Sequence, residues 1–238
     1  MPFYAYLILF GTILLSGLSF FAFKKIGTKE LKLLLSFSGS YLFGLTVLHL
    51  IPDVYHNENN TIGIFIFIGF FLQIILEFFS EGIEHGHIHI HKTSNSAFPL
   101  GMIIGLCVHS FLEGMPLVQK FQEPGTQRSL FAGITLHHIP VALALMSMLI
   151  HSGIRKSSAI FYLILFALMA PAGAVFGSMI GNTGTSSTTL FADQMMAIVI
   201  GIFLHISTTI LFESYEQHRF NYLKLIIILF GGLLAFLS

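Results

Sequence analysis

Tryptophan is absent from this 238-residue chain, cysteine occurs once, and charged residues make up only 9% of the total. A water-soluble domain usually carries about 25% charged residues, so this chain lacks the polar surface that solubility requires. Cys107 has no second cysteine to pair with, which excludes an internal disulfide. Eleven basic residues balance eleven acidic residues, and the lack of net positive charge argues against nucleic acid as a partner.

Hydrophobic residues make up 55% of the chain, and 26 residues are phenylalanine. A helix needs roughly 20 apolar residues to cross the hydrocarbon core of a bilayer. Eight such stretches are separated by short polar breaks, at about residues 3–23, 33–55, 61–80, 98–118, 129–150, 158–180, 190–212 and 221–237. The sequence therefore predicts an all-α membrane protein with eight transmembrane helices, forming a single polytopic domain over residues 1–238. The first stretch lacks a basic region before it, so we expect a retained helix rather than a signal peptide.

Lysine and arginine are concentrated in the breaks on one side of the predicted bundle. Nine of the eleven lie on that side, namely Lys24, Lys25, Lys29, Lys32, Lys92, Arg155, Lys156, Arg219 and Lys224. Lys120 and Arg128 lie on the opposite side. Because the cytoplasmic loops of membrane proteins carry the excess of these residues, the distribution predicts that both termini are extracytoplasmic.

Three histidines and a glutamate lie near the centres of two predicted spans. His109 and Glu113 are four residues apart in the fourth span, so both project from one face of that helix. His137 and His138 lie at a similar depth in the fifth span. Ionisable groups at this depth cost free energy unless they are paired, hydrated or coordinated, and by default they mark an ion pathway. A histidine and a carboxylate at this spacing can chelate one metal ion.

Other histidines admit two interpretations. Taken alone, His49 or His205 either lines a pathway or hydrogen-bonds a serine or a carbonyl on a neighbouring helix. The break at 81–97, expected in the cytoplasm, contains four alternating histidines, namely His85, His87, His89 and His91. This loop is either simply solvated or binds metal, and we favour metal binding because alternating imidazoles are a compositional signal for borderline metals.

Several of these motifs together resemble the ZIP (Zrt/Irt-like) family of divalent metal transporters. HSFLEG at 109–114 resembles the HxxxEG signature of the family's fourth helix, and HHIPVA at 137–142 resembles its fifth-helix motif. HLIPD at 49–53 and GIFLHIS at 201–207 extend the resemblance over the whole chain. The resemblance implies a ZIP-like helical bundle that carries zinc, iron or manganese into the cytoplasm through a site between helices four and five. Family members usually form dimers, so a homodimer is one assembly to expect.

The resemblance also implies roles for individual residues. His109 and Glu113 match metal ligands of the fourth helix, Ser110 matches an adjacent polar ligand, and His138 matches a ligand position of the fifth helix. His137 is an additional candidate ligand.

Two positions depart from the family pattern. A carboxylate often follows the proline of the fifth-helix motif, where Val141 stands here, and some relatives carry a glutamate in the sixth helix, where Ala170 stands here. We therefore expect a mononuclear site rather than a binuclear one.

The expected ligand set narrows the metal without fixing it. Two or three imidazoles with one carboxylate suit zinc and also Fe(II), Co(II) or Ni(II), whereas calcium and magnesium prefer more oxygen ligands. Zinc is the first expectation, with iron or manganese as alternatives. In each case the ion is the transported ligand, and no catalytic cofactor is expected.

Depth along the spans suggests an order for the rest of the route, as a hypothesis. Its outer residues are His49, Asp53 and His56, and its inner residues are His205 and Glu213, with Glu77 and Glu81 at the inner end of the third span. The histidine-rich loop then offers an acceptor in the cytoplasm. The expected location is the plasma (inner) membrane of a bacterium.

Two other functions stay open. A ZIP-like metal sensor that binds without transporting is suggested by Val141 and Ala170. An intramembrane hydrolase could use zinc held by several helices to activate water. Against the hydrolase, the chain contains no HExxH pattern and no obvious nucleophile, so we do not expect an enzyme.

Overall fold

The computed structural model describes residues 2–22, 27–56, 61–80, 82–83, 98–119, 121–123, 125–181, 186–212 and 222–238, and all regular secondary structure in these residues is helical. The main helices are α1 Phe3–Ser19, α2 Thr28–Leu45, α3 Ile62–Ser80, α4 Phe98–Gly114, α5 Thr126–His151, α6 Lys156–Gly181, α7 Ser186–Phe212 and α8 Tyr222–Leu237. Within these ranges, six helical segments are long and apolar enough to cross a bilayer, and α1 and α8 are shorter apolar helices. The predicted fold class, an all-α bundle of eight helices, is confirmed. The orientation of the termini stays a prediction.

The α2 helix changes its pitch in the middle of the segment that contains His49. A π-helical turn, Thr46–Leu50, follows α2 without a break and leads into a last helical segment, Ile51–Tyr55. Pro52 lies just inside that segment, and proline both lacks an N–H and clashes with the carbonyl four residues earlier. The wider π turn accommodates this, as such turns do within α-helices. His49 therefore lies on a widened turn rather than on a regular helical face.

The eight helices pack as two groups of four. One group contains α2, α3, α7 and α8, with α3 against α7 and α2 against α8 as its main contacts. The other group contains α1, α4, α5 and α6, with α4 against α6 and α1 against α5. The groups meet mainly where α2 contacts α5 and α3 contacts α4. We call these the α2 group and the α4 group.

Glycines allow α4 and α6 to approach each other closely. A side chain added at Gly173 of α6 would collide with the backbone carbonyl of Phe111, and one added at Gly114 of α4 would collide with that of Ala170. Small residues at helix interfaces let backbones come together, which drives helix association in lipid. Close backbone packing between α4 and α6 thus lies directly beside Glu113.

Gly173→Ala is expected to destabilise the protein, because the added methyl group would push α6 away from the Phe111 carbonyl. Overpacking of this kind usually costs about 1–3 kcal/mol. Gly11→Ala is the matched control, since nothing lies within 4 Å of a side chain added at Gly11. Thermal unfolding in detergent should show a clearly lower Tm for Gly173→Ala and an equal or higher Tm for Gly11→Ala. Equal Tm values for Gly173→Ala and the native protein would contradict the packing argument.

Candidate metal site

His109 and Glu113 form the α4 half of the candidate site. The Nε2 atom of His109 lies 3.1 Å from Oε1 of Glu113, one helical turn away. Both side chains are buried, with 1% and 0% of their surface exposed. The four-residue spacing thus places an imidazole nitrogen and a carboxylate oxygen at chelating distance of one another.

The two adjacent histidines of α5 both reach this pair. His137 joins His109 and Glu113 in a buried group whose ligand atoms all lie within 4.8 Å of one another. The ring centre of His109 is 6.1 Å from that of His137 and 6.3 Å from that of His138. The family resemblance predicts the main role for His138 and an additional one for His137. The structure brings both to the site, and the tight ligand group contains His137.

His138 is held by two hydrogen bonds in addition to its contact with Glu113. Its Nδ1–H donates to the Ile134 carbonyl at 2.7 Å, and the Ser110 hydroxyl donates to its Nε2 at 3.1 Å. The same Nε2 lies 3.5 Å from Oε2 of Glu113. Both ring nitrogens of His138 therefore have protein partners, so coordination of a metal through Nε2 requires it to give up the Ser110 hydroxyl.

Gln73 on α3 contacts the site from the other group of helices. Its Oε1 lies 3.1 Å from Nδ1 of His109, and both residues are buried. An amide oxygen only accepts hydrogen bonds, so Nδ1 of His109 carries the proton and donates it to Gln73. The lone pair of His109 is then on Nε2, which faces Glu113. Gln73 is absent from the residues predicted from the sequence, although a single amide in the apolar run IGIFIFIGFFLQIILEFFS was the available signal.

The buried group has the spacing and the chemistry of a metal site. Ligand atoms about 2.0–2.2 Å from a tetrahedral zinc ion lie about 3.3–3.6 Å from one another. The contacts of Glu113 with His109 and His138, at 3.1 and 3.5 Å, are close to this spacing. Imidazole lone pairs and a carboxylate all attract a cation, and a buried negative charge is costly without one. The arrangement can therefore hold one divalent ion through nitrogen and oxygen.

The two positions that depart from the expected carboxylate pattern are buried and apolar. Val141 on α5 and Ala170 on α6 are 1% and 0% exposed. Among the described residues, Glu113 is the one carboxylate of the metal-ligand group. Nothing at positions 141 and 170 adds a second charge.

The chain matches one known protein family over most of its length. The family model described as "ZIP Zinc transporter" matches residues 84–238, which is more than half of the chain and includes α4 and α5 with all of their site residues. The chain belongs to the ZIP zinc transporter family. The family predicted from the motifs is confirmed.

Curated relatives of this ZIP family member are distant in sequence. Zinc transporter YKE4 of Saccharomyces cerevisiae is 28% identical over 207 residues, covering 75% of this chain and 59% of the relative. Zinc transporter ZIP9 of Micropogonias undulatus is 25% identical over 159 residues, covering 62% of this chain and 49% of the relative. The chain thus spans about half the length of the curated relatives it matches.

Family membership and the six long apolar segments make this chain an integral, multi-pass membrane protein. The two relatives named above are eukaryotic, so they do not support the bacterial plasma membrane that the sequence analysis expected. The hydrocarbon thickness differs by only a few Å between membranes, so the apolar length of a spanning helix is similar in many of them. Helix composition alone therefore says that the chain spans a membrane and does not say which one.

The outer residues of the expected route contact residues other than the buried ligand group of this ZIP family member. His49 donates from Nε2 to the Ala235 carbonyl of α8 at 2.9 Å, as the structural interpretation of a lone histidine predicts. Asp53 accepts a hydrogen bond from the backbone N–H of Gln122, between α4 and α5, at 2.7 Å. His56 is exposed beside them.

The inner residues form a second, separate pair. Nε2 of His205 on α7 lies 3.5 Å from Oε2 of Glu77 on α3, and the ring of His205 packs edge-on against Phe70 with centres 5.0 Å apart. Both belong to the α2 group, whereas the candidate metal ligands belong to the α4 group. The remaining candidates lie outside the described residues, namely Glu81, Glu213 and the loop histidines His85, His87, His89 and His91.

Proposed function

We propose that this ZIP family member transports divalent transition-metal ions into the cytoplasm through the site between α4 and α5. The observation that carries the proposal is the buried group of His109, Glu113 and His137, whose ligand atoms lie within 4.8 Å of one another. Zinc is the first candidate ion, because the group offers the nitrogen and oxygen ligands that zinc prefers and the family is described as zinc transporters. Iron and manganese are the alternatives.

The proposed site is mononuclear, with His109, Glu113 and His137 as ligands and with His138 and Ser110 beside them. One carboxylate among imidazoles neutralises half the charge of a divalent ion. Such a site should hold the ion less tightly than one with several carboxylates, which suits an ion that must leave as well as arrive. The proposal includes a single transmembrane domain over residues 1–238, with both termini outside the cytoplasm. The excess of lysine and arginine in the breaks between spans supports this orientation.

Metal uptake into proteoliposomes that contain a zinc-sensitive dye tests the proposal. The purified native chain and His109→Ala would be reconstituted in parallel, and zinc, iron, manganese and cobalt would be added outside in turn. We expect saturable zinc entry with the native chain and background entry with His109→Ala. Equal entry with both proteins would show that the ion does not pass through this site.

A metal sensor without transport is the second candidate, because Val141 stands where the family pattern often has a carboxylate and Ala170 where some relatives carry a glutamate. Both residues are buried and apolar. Zinc binding by the reconstituted chain without zinc entry would favour the sensor. Val141→Asp and Ala170→Glu would then test whether an added carboxylate permits entry. We do not propose an enzyme, and release of a hydrolysis product by the purified chain would contradict that view.

Simultaneous replacement of His49 and Asp53 tests the outer part of the route. If these side chains gather the ion, His49→Ala with Asp53→Asn should slow uptake severalfold at low external zinc and leave it nearly native at saturating zinc. If they only hold the end of the second span against Ala235 and Gln122, the rate of uptake should fall by the same fraction at every zinc concentration. The initial rate of uptake as a function of external zinc separates these results. His151→Ala, at an exposed histidine of α5, is the control, and unchanged uptake by the double variant would remove both residues from the route.

A further inference from the structure

Gln73 reaches across the boundary between the two helix groups to a ligand of the proposed site. It lies on α3, in the α2 group, and it is fully buried. Its amide oxygen is 3.1 Å from Nδ1 of His109 on α4. This hydrogen bond joins the α2 group to a member of the buried ligand group.

The direction of this hydrogen bond determines what His109 can offer a metal. A neutral imidazole has one N–H and one lone pair, and the hydrogen bond made by one nitrogen decides which nitrogen carries the lone pair. The proton on Nδ1 points to Gln73, so the lone pair of Nε2 points to Glu113, which is 3.1 Å away. An acceptor on the far nitrogen also makes the ligating nitrogen a stronger base.

Ser110 and Ile134 act on His138 in a different way. These partners occupy both ring nitrogens of His138, including the Nε2 that faces Glu113. The amide oxygen of Gln73 lies against Nδ1 of His109, which points away from Glu113, so this contact leaves Nε2 of His109 directed into the ligand group. Of the two histidines that face Glu113, His109 thus directs its Nε2 lone pair into the ligand group, whereas Nε2 of His138 accepts the Ser110 hydroxyl.

The geometry points to Gln73 as a positioning residue that fixes the tautomer and the orientation of His109 and thereby sets the affinity of the site for metal. This inference rests on the proposed function, since it assigns a regulator to the same site. It also makes the affinity depend on contact between the two groups. Any rearrangement that separates α3 from α4 would break the hydrogen bond and weaken His109 as a ligand.

Substitutions at position 73 test this role. Gln73→Leu removes the acceptor at similar volume and should weaken zinc binding about 10- to 100-fold, which is the usual cost of losing such a partner. Gln73→Glu keeps an acceptor and strengthens it, so it should bind zinc at least as tightly as the native chain. Ser207→Ala is the matched control, because Ser207 is buried in the same group and, among the described residues, donates to carbonyls of its own helix, at Phe203 and Leu204. If Gln73→Leu does not fold, Gln73→Met replaces it.

The measurement is the equilibrium dissociation constant for zinc in detergent, together with the ¹⁵N NMR signals of the histidine rings without metal. The native chain and Gln73→Glu should show His109 protonated at Nδ1, and Gln73→Leu should show a mixture of tautomers. Native affinity in Gln73→Leu, or equal losses in Gln73→Leu and Gln73→Glu, would overturn the inference. His109→Ala is measured alongside, because native affinity in that variant would overturn the proposed function itself. A loss in His109→Ala without one in Gln73→Leu would overturn only the role of Gln73.

Discussion

Glu113→Gln is expected to lower the affinity for zinc by on the order of 100-fold or more, a loss of roughly 2.7 kcal/mol of binding free energy. The amide has nearly the same shape, but it removes the one carboxylate of the buried ligand group. Zinc would then enter a buried site with no negative charge to offset its own. Isothermal titration calorimetry of the purified proteins measures this change directly.

Glu77→Gln is the matched control for this loss. Glu77 is also a glutamate within a transmembrane helix and also faces a histidine, at 3.5 Å from His205, but it lies in the α2 group. It should retain native zinc affinity within a fewfold. Similar losses in both variants would mean that any glutamate in the bundle supports binding, which would contradict the assignment of the site to Glu113.

Glu113→Gln should weaken zinc binding but should not destabilise the metal-free protein. A buried carboxylate costs free energy unless its charge is compensated, so Glu113→Gln should raise the Tm of the metal-free protein or leave it unchanged. Zinc should raise the Tm of the native chain, since a ligand that binds only the folded state stabilises it. At a zinc concentration only a few times the native Kd, zinc should leave the Tm of Glu113→Gln nearly unchanged. This difference between the two proteins distinguishes a lost ligand from a damaged fold.

His137→Ala is expected to weaken zinc binding more than His138→Ala, by about 10-fold or more. Both substitutions remove a buried imidazole of the same size from adjacent positions, so each controls for the cavity left by the other. His137 belongs to the tight ligand group, whereas Nε2 of His138 already accepts the Ser110 hydroxyl. Competition with a zinc-sensitive dye measures both affinities on one scale.

Ser110→Ala extends this comparison. Removal of the hydroxyl frees Nε2 of His138 to coordinate, so zinc affinity should be unchanged or higher. A larger loss in His138→Ala than in His137→Ala, with a loss in Ser110→Ala, would reverse the assignment. In that case His138 would be the main α5 ligand, as the sequence analysis expected.

Features that depend on spacing along one helix could be predicted from the sequence. Long apolar stretches predicted the eight-helix fold class, because a helix must satisfy its own backbone hydrogen bonds in lipid. The four-residue spacing predicted that His109 and Glu113 share a face, and their atoms lie 3.1 Å apart. The motifs around these residues predicted the family.

Contacts between helices that no family motif marks could not be predicted. Adjacent residues of a helix point about 100° apart, so the sequence alone could not decide between His137 and His138. Gln73 and His109 are 36 positions apart and meet only because α3 packs against α4. The contact of Asp53 with the Gln122 backbone is likewise a product of packing.

The most direct test of the central claim is the initial rate of zinc entry into proteoliposomes for the native chain, Glu113→Gln and Glu30→Gln, reconstituted at equal density. Glu30 is an exposed glutamate in the first turn of α2, outside the proposed site and route. Saturable entry is predicted for the native chain and Glu30→Gln, and background entry for Glu113→Gln. Native rates in Glu113→Gln would contradict the claim, since zinc would then cross the membrane without the buried carboxylate between α4 and α5.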